Sequence, residues 1–136
     1  MVLSEAAKPE AAADPGAIAW LAAQSALDLA ISVLSLGEIR RGTELLAEGK
    51  RKDRLRSWLL ADLPAQFEGR VLPIIPEVAH AWGRLDAFAR RSGRPIHVVD
   101  GLLLATAEVH GLTLVSRNAG HLANRGVPVE NPYSRG

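Results

Sequence analysis

No cysteine occurs in the 136 residues, which excludes disulfides, thiolate nucleophiles and cysteine-ligated metal sites together. No apolar run approaches the roughly 20 residues that a membrane-spanning helix needs. The opening Met1-Val2-Leu3-Ser4-Glu5 also lacks a basic segment leading into a long apolar core of the kind that directs secretion. A cytoplasmic protein without membrane contact is the simplest expectation. An excess of one charge sign is missing too, since 16 Lys and Arg stand against 15 Asp and Glu for a net charge of +1. This gives no argument for a massively basic nucleic-acid binder. Lys50, Arg51, Lys52, Arg54 and Arg56 are nevertheless clustered, as are Arg84, Arg90, Arg91 and Arg94. A clustered basic face can hold a phosphate backbone even when the total balances, and a solvated helix face is the plainer alternative for either cluster. Internal repeats, low-complexity linkers and glycine-rich phosphate loops of either common type are absent as well.

What is present is an ordinary globular mixture, 48 % apolar and 23 % charged, in a length that suits one compact domain over residues 1–136. Asp14-Pro15 makes a good helix start, with Ile18, Trp20, Leu21 and Ala22 on an apolar side. A buried strand is expected over 29–33, then a helix from about Ser35 to Ala47 closed by Gly49. A second helix runs from about Lys52 into the Asp62 region, with Leu55, Trp58, Leu59 and Leu63 as an inward stripe. A short strand follows in Gly69 to Ile75, near a sheet edge because of Pro73. Pro76-Glu77 opens another helix that Gly93 stops.

The stretch from Ile96 to Asn118 reads as a short apolar approach, Asp100 at a helix start, an apolar helix closed by Gly111, and a buried strand over 112–116. A helical turn at Ala119 to Asn124 and a brief strand at Gly126 to Val129 end the pattern. Short, continuously apolar strands alternating with helices predict an α/β fold with a mostly parallel sheet covered on both faces.

Glu38 and Asp100 both sit where a strand is expected to hand over to a helix, and ligands of open α/β sheets gather outside the carboxyl ends of the strands. An acid in the first turn of a helix also has a structural use, answering the free amides and the dipole there. Two carboxylates at one edge raise each other's pKa unless a cation lies between them. With no His or Cys nearby, hard oxygen donors favour Mg2+ or Mn2+ over zinc, which suits hydrolysis of a phosphodiester. Asp62, Glu77 and Asp86 lie within helical patterns and read as solvated faces.

Ser35 to Gly42, Gly69 to Ile74, Val99 to Ala107, Leu114 to Asn118 and Asn131-Pro132 resemble, in order, the successive motifs of PIN-domain proteins of the VapC/FitB toxin type. The resemblance implies a three-layer α/β/α PIN-like domain and a Mg2+- or Mn2+-dependent endoribonuclease with RNA as substrate. It also implies a cognate antitoxin protein, and a homodimer is compatible with it. Glu38 matches the family's second acidic position and Asp100 its third, so these two are the expected metal ligands. Asn118 joins them as an expected catalytic residue, its amide orienting a water or phosphate; a turn residue capping the next helix is its structural alternative. His121 stands where many relatives have an acid, and reads better as a surface His.

The family pattern opens on a strand ending in Asp-Thr-Asn, and Met1 stands where that Asn belongs. The domain is therefore expected to lack its first strand and first metal-binding Asp, leaving neighbouring strands unpaired and the chain prone to aggregate. Glu5 reads as a first-turn helix acid rather than a substitute. Poor cleavage is expected from the chain as it stands, and a catalytically inactive PIN-like module that keeps antitoxin binding is the alternative reading.

Overall fold

A computed structural model of the chain describes residues 2–4, 29–116 and 118–131. Its strands are β1 (Val2–Ser4), β2 (Leu29–Ser32), β3 (Val71–Leu72), β4 (Thr113–Val115) and β5 (Val129–Glu130). They form one sheet in the order β3-β2-β1-β4-β5, and every neighbouring pair is parallel. The helices are α1 (Val33–Glu44), α2 (Lys50–Ser57), α3 (Leu63–Gln66), α4 (Pro76–Arg91), α5 (Val98–His110) and α6 (Ala119–Leu122). The helix expected after Asp14 and the placement of Glu5 lie outside the described residues. None of the described helices is long and apolar enough to cross a membrane.

Successive residues of a strand face opposite sides, and β2 shows how this produces three layers. Leu29 and Ile31 pack with Ile39, Leu59, Leu63 and Phe67 on one face, whereas Ala30 joins Val78, Leu85, Leu104 and Leu114 on the other. Helices α1 to α3 thus cover one side and α4 and α5 the other. The expected α/β/α sandwich with a parallel sheet is what is found.

The expectation of a vacant centre is corrected. Val2–Ser4 occupies it, with Val2 and Leu3 in register with Leu29 and Ala30 on one side and Val2, Leu3 and Ser4 with Thr113, Leu114 and Val115 on the other. A short segment of strand-forming and small residues is enough, because parallel pairing uses backbone groups that any such segment offers. With both neighbours of β1 paired, the reason given for aggregation falls away.

Some boundaries also moved. Helix α1 begins at Val33, two residues before the expected Ser35, because the Ser32 hydroxyl caps it by accepting from the Leu34 amide at 3.0 Å. The expected helix from Lys52 into the Asp62 region instead comprises α2, a π-helical turn at Trp58–Asp62, and α3. Pro64 explains the turn: it has no N–H to give the carbonyl four residues back and its ring crowds that carbonyl, so the ladder opens, and the Leu63 amide bonds the Trp58 carbonyl instead.

Candidate functional site at the carboxyl edge of the sheet

Helix α1 leaves β2 directly, so Glu38, its sixth residue, lies just beyond the carboxyl edge of the sheet. Asp100 comes to that edge by another route. No strand precedes α5, contrary to the expectation that Asp100 follows one: α4 ends at Arg91 and residues 92–97 are irregular. Val98 and Val99 already belong to the helix, because His97 caps it, its Nδ1 accepting from the Val99 amide at 3.3 Å. Helix α5 then runs back along the sheet to feed β4 through Gly111, whose φ of 65° is the left-handed conformation that glycine adopts without a Cβ penalty. A helix that feeds a parallel strand starts at the opposite edge from the strand it feeds, so the first turn of α5, with Asp100 in it, lies at the carboxyl edge.

Asn118 closes the arrangement. It follows β4, and its Nδ2 donates to Asp100 Oδ2 at 3.2 Å across 18 residues of sequence. Its backbone amide donates to Ser116 Oγ at 3.1 Å, and Ser116 is fully buried. The turn that presents the amide is thereby fixed from below. Ser116 was not singled out in the sequence; its position two residues before Asn118 at the end of a strand, where a short hydroxyl side chain can hold a turn, was the available signal. The structural alternative for Asn118 fails in part, since it stands at the N-cap position of α6 but makes no side-chain capping bond.

Glu38 is half-buried and lines a hollow of about 190 Å³ between α1 and α2 with Ile39, Gly42, Thr43, Arg51 and Leu55. Asp100 is not part of this hollow, so the site has two parts. The Asp100–Asn118 pair is knit together by a bond, and Glu38 stands across the edge on α1. His121 has another role: its Nε2 lies 3.2 Å from the Pro95 carbonyl, fastening α6 to the segment before α5. Among the described residues no three His, Cys, Asp or Glu side chains are grouped closely enough to hold an ion.

Trp82 lies against Gly101, the neighbour of Asp100 in α5. A Cβ added at Gly101 would lie 3.1 Å from both Cδ1 and Nε1 of the Trp82 ring and 3.9 Å from Ile96 Cγ2, so glycine next to Asp100 lets α4 and α5 approach. Gly101→Val is expected to cost about 1–3 kcal/mol through overpacking, read as a lower urea midpoint together with a change in tryptophan emission. An unchanged midpoint would show that the ring simply swings aside.

The two basic clusters separate here. Lys52 is turned inward, its Nζ 2.7 Å from Glu48 Oε1 and 3.2 Å from the Glu44 carbonyl, and the Lys52 ammonium holds the Glu48 carboxyl below its ordinary pKa. Arg56 pairs with Glu44 at 3.3 Å and faces Asp53 at 3.8 Å. Two members of this cluster, Lys52 and Arg56, are therefore spent on local acids. Of the second cluster, Arg90 is paired with Asp86 at 2.8 Å and Arg84 with Glu108.

Residues 2–126 match the PIN domain family. Toxin FitB of Neisseria gonorrhoeae is 33 % identical over 132 residues, covering 97 % of this chain and 94 % of that protein. The VapC ribonuclease Y4jK of Sinorhizobium fredii is 31 % identical over 132 residues, with 97 % and 93 % covered. The solved structure of FitAB bound to an IR36 DNA fragment superposes with a TM-score of 0.88 at 29 % identity, over 98 % of this chain and 96 % of that one. Solved neighbours also include toxin–antitoxin complexes, some of them bound to DNA.

Proposed function

The chain belongs to the PIN-domain family, of the VapC/FitB toxin type, and from that premise we propose that it acts on RNA as a metal-dependent endoribonuclease restrained by an antitoxin. The observation that carries the chemistry is the Asp100–Asn118 hydrogen bond at the carboxyl edge. It holds a carboxylate in one orientation at a helix N-terminus, where negative charge is favoured, and leaves Asp100 Oδ1 outside the bond. Asp100 and Glu38 would hold the cation. Their donors fit in kind, because Mg2+ takes hard oxygens, keeps several waters and is satisfied by one or two protein carboxylates. When bound, Mg2+ or Mn2+ supplies an activated water and shields the charge that develops on the phosphate. The chain's own part is to fix positions: Asn118 keeps the Asp100 carboxylate from rotating, Ser116 keeps Asn118 in place, and Trp82 holds the turn of α5 on which Asp100 stands. Cleavage of RNA with Mg2+, with Mn2+ and with chelator tests the reading. Metal-independent cleavage that survives Asp100→Asn would overturn it.

One observation favours the second reading, a catalytically inactive module that retains its partner: no group of three metal-binding side chains occurs among the described residues. An antitoxin fits the hollow beside Glu38. Its wall carries Leu46, Leu55 and Arg51, and the exposed Leu45 stands next to Leu46 in the chain, a mixture that takes the apolar face of an amphipathic, partly acidic helix. A helix seated there would cover Glu38, so binding and inhibition become one event. Leu45→Asp is expected to weaken antitoxin binding by roughly tenfold or more, measured by calorimetry with the purified partner. An unchanged affinity for this variant and for substitutions at Leu46 and Leu55 would place the partner elsewhere.

A further inference from the structure

Arg84, Phe88 and Arg91 recur at spacings of four and three along α4 and so share one helix face. Against that face packs the turn before β5, where Asn124 at φ 62° reverses the chain and delivers Arg125. Together they line a hollow of about 460 Å³, within the roughly 300–1,000 Å³ of small-ligand pockets. Phe88 is 63 % exposed, an unusual position for a phenyl ring, and Arg84, Arg91 and Arg125 line the same hollow.

The charges here do not cancel. Arg84 has Glu108 as a partner and Arg90 has Asp86, but Arg91, Arg94 and Arg125 have no acidic partner among the described residues. Arg125 is built in: Nε and Nη2 donate to the His121 carbonyl at 3.2 and 3.0 Å, and Nη1 donates to the Arg94 carbonyl at 3.0 Å. These bonds leave part of its five-donor fork unused. Burial and the nearby Arg94 guanidinium both push the Arg125 pKa down, a cost that an anion in the hollow would relieve. Arg94 Nη2 also donates to the His121 carbonyl at 3.2 Å, so the guanidinium pair is fastened to α6, the helix that starts after Asn118.

We propose that this hollow is a subsite for single-stranded RNA, in which Phe88 stacks on one base while Arg91 and Arg125 take the phosphates beside it. The proposal rests on the nuclease reading for its biological setting, yet it concerns binding and not cleavage. An unpaired nucleotide is the ligand that answers both features, since its base offers a flat face to the phenyl ring and its phosphates carry the opposite charge. A duplex would hide its base faces and leave Phe88 without a partner. The short helix α6 links the subsite to Asn118, so a strand lying here would continue toward Asp100.

The test measures anisotropy of a labelled, mixed-sequence single-stranded RNA with the full chain in chelator, where no cleavage intervenes. Phe88→Ala is expected to weaken binding about tenfold, in the range of base–aromatic stacking, and to leave duplex RNA binding unchanged. Arg91→Ala is expected to weaken both and to lower the slope of log affinity against log salt by about 0.7, as for one phosphate contact on a single strand; Arg91→Lys restores the slope. Both side chains are exposed, and thermal melts check that the fold is kept. Unchanged RNA affinity in Phe88→Ala and Arg91→Ala overturns the subsite, and if the same variants weaken antitoxin binding the hollow belongs to the protein partner. RNA that binds as described but is not cut with metal even by a form extended by a strand ending in Asp-Thr-Asn overturns the nuclease reading and leaves the subsite standing.

Discussion

A form of this chain extended ahead of Val2 by a strand ending in Asp-Thr-Asn is expected to cleave RNA with Mg2+ or Mn2+ at least about a hundredfold faster than the 136-residue chain. Asp100→Asn or Glu38→Gln in the extended form should return the rate to that of the chain as it stands. The reason is the number of groups that orient the attacking water. The central strand of the sheet is Val2–Ser4, and none of its residues is a carboxylate, although that strand's end lies between β2 and β4 in the middle of the carboxyl edge. On the proposed mechanism a water oriented by two carboxylates would be directed less firmly than one oriented by three, and small misplacements at a reacting centre cost orders of magnitude. The added strand must compete with Val2–Ser4 for the same neighbours, Leu29–Ala30 and Thr113–Val115. It offers them longer pairing and so should displace the three-residue strand. Total RNA incubated with both forms, with metal and with chelator, reads the outcome. Equal, metal-independent activity in all forms would sink the mechanism, and an inert extended form would favour the module without catalysis.

Leu104→Ala is expected to lower stability by about 2–5 kcal/mol, a large part of the roughly 5–15 kcal/mol that holds a domain folded. Helix α5 buries Gly101, Leu103, Leu104, Ala105, Thr106 and Ala107, so it is enclosed on nearly every side rather than along one stripe. Leu104 is fully buried in the cluster shared with Val78, Leu85 and Leu114. Removing its branched end leaves a cavity between two helices and a sheet that cannot all move inward together. Urea unfolding followed by circular dichroism measures the loss. Leu45→Ala serves as comparison, because Leu45 is 76 % exposed and surface truncations stay within about 0.5 kcal/mol. A loss at Leu104 no larger than at Leu45 would show that α5 is not the buried core helix described.

Much of this was legible along the chain because it is governed by local forces. The buried strand from Leu29, the helix that Pro76 opens and Gly93 stops, and Gly111 at the end of the next helix are each set within a few residues, and each was found where expected. Asp100 at the first turn of α5 was readable for the same reason, and the run of family motifs singled out Asn118 as its companion. The tertiary structure decided what local forces leave open. Parallel strands pair through backbone groups that many segments could supply, so only the assembled sheet could put Val2–Ser4 at its centre. The π-helical turn depended on Pro64 meeting a helix that packing would not allow to end. Arg56 looked like part of a free basic face until Glu44 on α1 folded against it. Arg125, 31 residues from Arg94 in sequence, joined the arginines of α4 because the turn before β5 lies against that helix. Which side chains share a charge environment is set by where distant segments meet, and spacing along the sequence does not encode it.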